Sequence, residues 1–130
     1  MIVDLLLDTH VVIWQTISPK RLSRQATELL LDESNIWHLS LASVWEMQIK
    51  LQLGKLRLDI PFPEMLRDLQ NKNDLKFLFI SLEHIYSLEN LPPTHRDPFD
   101  RMLIAQSMAE KMPIISIDSA FDGYDVQRLW

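Results

Sequence analysis

Apolar positions along the chain follow two spacings, one typical of strands and one typical of helices. Short apolar runs at 1–7, 36–39, 76–82 and 114–117 predict buried strands, and the tail at 126–130 is consistent with an edge strand. Helical spacing predicts helices over 10–17, from Ser23 to about 32–35, and over 41–53, 64–70, 83–91 and 98–111. Strands that alternate with helices predict an α/β fold in three layers, with a mainly parallel central sheet.

Proline and glycine mark several boundaries of these elements. Ser18 and Pro19 end the first predicted helix, and Gly54 supplies a stop after the third. Pro61 and Pro63 indicate a loop before the helix at 64–70.

Length and composition limit the class of protein. The chain of 130 residues is 47% hydrophobic, which predicts one globular domain over 1–130. It has no cysteine, so disulfides and thiolate metal sites are excluded. No apolar run approaches the roughly 20 residues that span a bilayer, and Asp4 without a basic start argues against a secretory signal. We therefore expect a cytoplasmic protein with no membrane association.

The net charge of −5 argues against broad, non-specific binding of a phosphate backbone, because Lys and Arg carry that binding. It does not exclude a nucleic-acid enzyme, since a bound divalent cation reverses the charge of an acidic site.

Two aspartates directly follow predicted strands. Asp8 comes after the run at 4–7, and Asp118 after the run at 114–117. Ligands of parallel α/β folds bind at the carboxyl ends of strands, so both residues are candidates for a site. Each is equally consistent with a helix cap or a turn, where Asp is common.

Two further acids lie among apolar helix positions. Glu46 shares a face of the helix over 41–53 with Ala42 and Ile49, where an unpaired charge is costly. An internal salt bridge is the structural alternative to metal ligation. Asp100 shares a face with Leu103 and lies in the first helical turn, where the helix dipole is a structural alternative.

Asp97 is interpreted differently because Pro98 follows it. Asp before Pro is typical of an N-cap and the first helical residue, so we expect capping. A supporting role beside a metal is the secondary interpretation. Four acids and no nucleophilic Ser or Cys pair together suggest metal-assisted hydrolysis of a phosphodiester. Mg²⁺ and Mn²⁺ prefer such carboxylate ligands.

The segments around these acids resemble the PIN-domain ribonucleases, specifically the VapC-type toxins of toxin–antitoxin pairs. The resemblance rests on LLLDTH at 5–10, SVWEM at 43–47, HRDPFDRMLIAQ at 95–106 and ISIDSAF at 115–121. It covers essentially the whole chain, and the segment at 95–106 is the most specific.

The resemblance implies a PIN-like three-layer α/β/α sandwich and cleavage of RNA with Mg²⁺ or Mn²⁺. It implies that Asp8, Glu46, Asp100 and Asp118 surround the metal and that Thr9 supports the site. It also implies a homodimer and a small antitoxin partner. A receiver-like signalling or metal-binding α/β module is the non-enzymatic alternative. His10 and His95 lie beside these segments, but no histidine spacing indicates zinc.

Overall fold

A five-stranded sheet forms the centre of the protein, in a computed structural model that describes residues 3–130. The strands run in the order β3-β2-β1-β4-β5, and every neighbouring pair among the described residues is parallel. Met1 and Ile2, the start of the first predicted strand, lie outside the described residues. The strands are β1 (Asp4–Leu7), β2 (Ile36–Ser40), β3 (Lys76–Leu78), β4 (Ile114–Ile115) and β5 (Arg128–Leu129).

Six α-helices connect the strands, as the helical spacing predicted. They are α1 (Thr9–Ile17), α2 (Arg24–Leu31), α3 (Leu41–Gln52), α4 (Phe62–Asn73), α5 (Leu82–Ser87) and α6 (Pro98–Glu110). Within residues 3–130, none of them combines the length and the apolar character needed to cross a membrane.

The side chains of β1 alternate between two separate cores. Leu5 and Leu7 pack into the core beneath α1, α2, α3 and α4, whereas Leu6 packs into the core beneath α6. Ile115 and Ile114 of β4 divide in the same way. Because successive residues of a strand face opposite sides, one apolar run lines both cores. The expected three-layer α/β/α arrangement of PIN-like proteins is confirmed.

β3, β4 and β5 are shorter than the sequence predicted, with β5 reduced to Arg128–Leu129. For β3 and β4, the neighbouring strand ends first. β3 ends at Leu78, whose partner Ser40 is the last residue of β2. The residues at 79–82 therefore have no strand to pair with, and Phe79 is 70% exposed. β4 likewise ends at Ile115, opposite Leu7 at the end of β1.

Helix ends also differ in detail from the prediction. α4 extends beyond 64–70 at both ends, and Pro63 lies in its first turn rather than in a loop. Proline is tolerated there because first-turn amides need no helical partner. Gly54 adopts a left-handed φ of 71° just after α3, as expected for a residue that ends a helix.

The order of the strands creates a point where the direction of chain winding reverses. The chain builds β2 and β3 on one side of β1, then β4 and β5 on the other. The carboxyl ends of β1 and β4 meet at this point, which is where ligands bind in open parallel sheets. Asp8 follows β1 and Asp118 lies three residues after β4.

Candidate active site

Asp8 is buried at the carboxyl end of β1, with only 3% of the residue exposed. It occupies the N-cap position of α1, but its side chain makes no capping hydrogen bond within residues 3–130. The Ser116 hydroxyl instead donates to Asp8 Oδ2 at 2.6 Å. Burial raises the pKa of Asp8, while the Ser116 bond and nearby His10 oppose the rise. The side chain of Asp8 therefore does not cap α1, which was the structural alternative for this residue.

Asp118 combines a structural contact with a place in the cleft. Its Oδ1 accepts from the amide of Ala120 at 2.9 Å and caps a short 3-10 helix, Ser119–Gly123. Its own amide donates to Ser116 Oγ at 3.0 Å. Ser116 therefore joins Asp8 to Asp118 across two strands. The second carboxylate oxygen of Asp118 remains directed toward His95, 3.4 Å away.

Asp100 lies in the first turn of α6, and its side chain is 17% exposed. Burial raises its pKa from the ordinary 3.8 to about 8, and four neighbouring carboxyl groups add to the rise: those of Asp8, Asp97, Glu46 and Asp118. Like charges that share a poorly hydrated space favour protonation of one member. The candidate acids from four separate segments are thus brought close enough to perturb one another.

Glu46 reaches this group from α3. Its side chain is 12% exposed, and its carboxylate raises the pKa of both Asp8 and Asp100. Lys50, one helical turn later, places its Nζ 3.5 Å from Glu46 Oε2. The structural alternative of an internal salt bridge is therefore present, together with proximity to the other acids.

Asp97 caps α6, as the Asp-Pro pair predicted. Its Oδ1 accepts from the amides of Phe99 at 2.8 Å and Asp100 at 3.2 Å. These two bonds satisfy free amides at the start of the helix. They hold Asp100 at a defined distance from the Asp97 carboxylate, which contributes to the raised pKa of Asp100.

Thr9 is not among the residues that line the cleft with the acids. It is 1% exposed, and its hydroxyl donates to Ser43 Oγ at 2.9 Å. Ser43 is fully buried in α3, three residues before Glu46. The bond ties the beginning of α1, next to Asp8, to the helix that carries Glu46.

His95 lies between two of the acids, a position that the sequence analysis did not assign. Its Nε2 is 3.0 Å from Asp100 Oδ2 and 3.4 Å from Asp118 Oδ2. Although Nε2 is buried, it makes no well-aligned hydrogen bond to any described residue. The Asp97 amide donates to Nδ1 at 3.4 Å, which favours the neutral tautomer with its proton on Nε2.

Ser116 and His95 carried only weak signals in the sequence. Ser116 lies two residues before Asp118, and His95 lies two residues before Asp97 in the most specific of the matching segments. Their partners become visible only in the folded chain, since 108 positions separate Ser116 from Asp8.

An open cleft of about 380 Å³ leads to the acids and is lined by Asp8, His10, Trp14, Asp100, Ile117 and Asp118. A larger cavity of about 450 Å³ lies near the amino end of β2, among residues such as Asn35 and Lys72. It is remote from the acids, so the smaller cleft is the candidate site.

The donor set of the cleft fits a hard divalent cation. Asp8, Asp100 and Asp118 contribute carboxylate oxygens, and those of Asp100 and Asp118 lie within 4.8 Å of each other and of a ring nitrogen of His95. Carboxylate oxygens are the ligands that Mg²⁺ and Mn²⁺ prefer. A cation would also relieve the repulsion that raises the pKa of Asp100 to about 8.

The PIN-domain family model matches residues 5–127, so the chain belongs to the PIN-domain family. PIN domains are nucleases, and they generally use a divalent metal ion. A search of curated proteins finds no match.

The solved structures that the chain resembles share its fold at low sequence identity. A chain in the crystal structure of VapBC2 from Rickettsia felis, bound to a DNA fragment from their promoter, has a TM-score of 0.73, 13% identity and full coverage of both chains. A chain of FitAcB from Neisseria gonorrhoeae has a TM-score of 0.63 and 16% identity, with 95% of each chain covered. A toxin–antitoxin complex from Klebsiella pneumoniae contains a chain with a TM-score of 0.55 and 15% identity, covering 88% of this chain and 87% of that one.

Proposed function

We propose that this chain is a Mg²⁺- or Mn²⁺-dependent endoribonuclease and the toxin of a toxin–antitoxin pair. The observation that carries the proposal is the convergence of Asp8, Glu46, Asp100 and Asp118. The carboxyl groups of the other three add to the rise that burial produces in the pKa of Asp100. The family match favours a nuclease over the receiver-like signalling module. We treat residues 1–130 as a single PIN domain that acts in the cytoplasm, where its RNA substrate is available.

In this proposal the carboxylates of Asp8, Glu46, Asp100 and Asp118 hold the cation. When bound, a divalent cation neutralises phosphate charge, promotes ionisation of water and stabilises the charge that develops during phosphoryl transfer. Ser116 orients the Asp8 carboxylate by donating to its Oδ2. The Asp97 cap and the Thr9–Ser43 bond position Asp100 and the helix of Glu46.

His95 has a separate role in the proposed reaction. Its Nε2 lies 3.0 Å from Asp100 Oδ2 and 3.4 Å from Asp118 Oδ2. We assign His95 to positioning these two carboxylates rather than to holding the cation. Its Nδ1 already accepts from the Asp97 amide, so the neutral ring has no lone pair on Nε2 for a metal ion.

Partners are the second part of the proposal. The solved chains of similar fold come from toxin–antitoxin assemblies, which supports a small antitoxin partner. Four large apolar side chains, Phe79, Leu82, Ile85 and Tyr86, are 45–70% exposed around the start of α5. We assign this patch to a homodimer contact, because a contiguous exposed apolar surface commonly marks a protein interface.

The test of the enzymatic proposal is RNA cleavage by matched variants. Asp8→Asn and Asp100→Asn should each abolish cleavage in Mg²⁺ or Mn²⁺ while retaining the circular dichroism of the folded chain. Asp59→Asn, which alters an exposed acid outside the cleft, is the control and should cleave normally.

The cation should also raise the melting temperature of the wild type, because it binds only the native site. Full cleavage by Asp8→Asn or Asp100→Asn would refute their assignment. A wild type that cuts no RNA and gains no stability from either metal would refute the proposal itself.

A further inference from the structure

An aromatic side chain lines the acidic cleft, and a positively charged side chain lies over its ring. Trp14 of α1 lines the cleft together with Asp8, Asp100 and Asp118. The guanidinium carbon of Arg21 lies 4.4 Å from the centroid of the Trp14 ring. Arg21 ends a short 3-10 helix, Pro19–Arg21, that follows α1 directly.

Packing holds the Trp14 ring in place. Trp14 is 8% exposed, and its ring contacts His10 at 5.6 Å and Trp130 at 6.1 Å between centroids. A guanidinium that stacks on a fixed ring loses much of its side-chain freedom before any ligand arrives. Arg21 is therefore preorganised over the ring of a residue that lines the cleft, although it is itself exposed.

The guanidinium of Arg21 has no acidic partner among the described residues. Within residues 3–130, its guanidinium makes no ion pair and no hydrogen bond, and it lies over the Trp14 ring. By contrast, the side chains of several basic residues are engaged by protein groups: Arg24 by Glu28, Lys50 by Glu46, Arg128 by Asp122, and Arg101 by backbone carbonyls.

A free guanidinium at this place suits a phosphate. Its carbon lies over the ring, its N–H groups donate to no described residue, and a guanidinium can match two phosphate oxygens at once. The chain carries a net charge of −5, so a polyanion approaching the acids needs local positive charge along its path.

We propose that Arg21, held on Trp14, binds a backbone phosphate of single-stranded RNA that flanks the bond to be cut. This inference rests on the proposed function and adds to it the side of the cleft along which the substrate strand runs. Because the contact is to phosphate, it contributes to affinity and register but not to base recognition.

The experiment measures binding of a short, mixed-sequence, fluorescein-labelled single-stranded RNA by anisotropy over a range of salt. Asp100→Asn serves as the parent, so that RNA is bound without being cut. Adding Arg21→Gln should weaken binding about tenfold, since a charged hydrogen-bonded contact is lost. It should also reduce the slope of log K against log salt by about 0.7, the value for one phosphate contact on a single strand.

Two further variants separate the phosphate contact from general charge and from stability. Arg21→Lys should keep the salt slope but bind more weakly than the parent, because it retains charge without the planar, bidentate group. Arg24→Gln removes an exposed arginine three residues away that already pairs with Glu28, and should change neither quantity. In the cleaving enzyme, Arg21→Gln should raise KM with little change in kcat.

The possible failures are distinguishable. If the parent binds RNA and Arg21→Gln binds it with the same affinity and salt slope, the inference is overturned and the proposed function stands. If the wild type neither binds nor cuts RNA, both are overturned. A variant that keeps RNA binding but loses a protein partner would assign Arg21 to that partner and also overturn the inference.

Discussion

Replacing Asp100 with asparagine should make the metal-free protein more stable at alkaline pH. Asp100 is the acid whose pKa rises to about 8, first because it is buried and then because the carboxyl groups of Asp8, Asp97, Glu46 and Asp118 lie nearby. Asparagine has nearly the same shape as a protonated aspartate but cannot acquire the charge. The variant therefore removes the ionisation without removing the side chain.

The direction follows from proton linkage. Because the pKa of Asp100 is about 8 in the folded chain and 3.8 ordinarily, the native state binds more protons than the unfolded state between these values. The contribution of Asp100 to stability is full below about pH 4, declines as pH rises, and is lost above about pH 8. Wild-type stability should accordingly fall across this window.

The magnitude follows from the size of the shift. About four pKa units correspond to roughly 6 kcal/mol at about 1.4 kcal/mol per unit. The side chain is 17% exposed, so solvent screening reduces the expected effect to about 2–4 kcal/mol. This is a large part of the 5–15 kcal/mol that typically stabilises a small domain.

The assay is urea unfolding in chelator at about pH 5 and about pH 9, on either side of most of the titration. The advantage of Asp100→Asn over the wild type in free energy of unfolding should be about 2–4 kcal/mol larger at the higher pH than at the lower pH. Asp59→Asn, at an exposed position, should follow the wild type throughout. Parallel pH profiles for wild type and Asp100→Asn would refute the reasoning, as would a gain in the Asp59→Asn control.

Two other substitutions test how the cleft is supported. Ser116→Ala should lower the free energy of unfolding by about 1–3 kcal/mol and raise the pKa of Asp8 further, because the buried carboxylate loses its 2.6 Å donor. Urea unfolding across pH would measure both effects, and Ser119→Ala, an exposed neighbour, should be neutral. Asp97→Ala should cost about 1 kcal/mol by removing the α6 cap, whereas Asp97→Asn should retain most of it. Equal losses in the two Asp97 variants would contradict the capping interpretation.

Much of the secondary structure could be predicted because its signals are local. Ser23 caps α2, Gly54 follows the end of α3 with a positive φ, and Asp97 with Pro98 begins α6. Each signal depends on backbone groups only a few residues away, so the sequence alone indicates it. The same holds for the apolar run of β1, whose alternation lines both cores.

The lengths of the strands could not be predicted in this way. The run at 76–82 has strong strand character, yet β3 stops at Leu78 because β2 ends opposite it at Ser40. A strand continues only as far as a neighbouring strand supplies hydrogen-bond partners. The length of β3 is therefore set by β2, a segment that is distant in the sequence.

For the candidate site, the sequence determined which acids stand at strand ends and on helix faces, and the family resemblance selected four of them. The tertiary structure decided their relationships. It placed His95 between Asp100 and Asp118, joined Ser116 to Asp8, and left Arg21 stacked on Trp14 without an acidic partner among the described residues. These contacts join segments that meet only because parallel strands bring their carboxyl ends to one edge of the sheet. Burial and like charge then raise the pKa of Asp8 and Asp100. No local sequence pattern indicates these shifts, because they depend on how distant segments pack together.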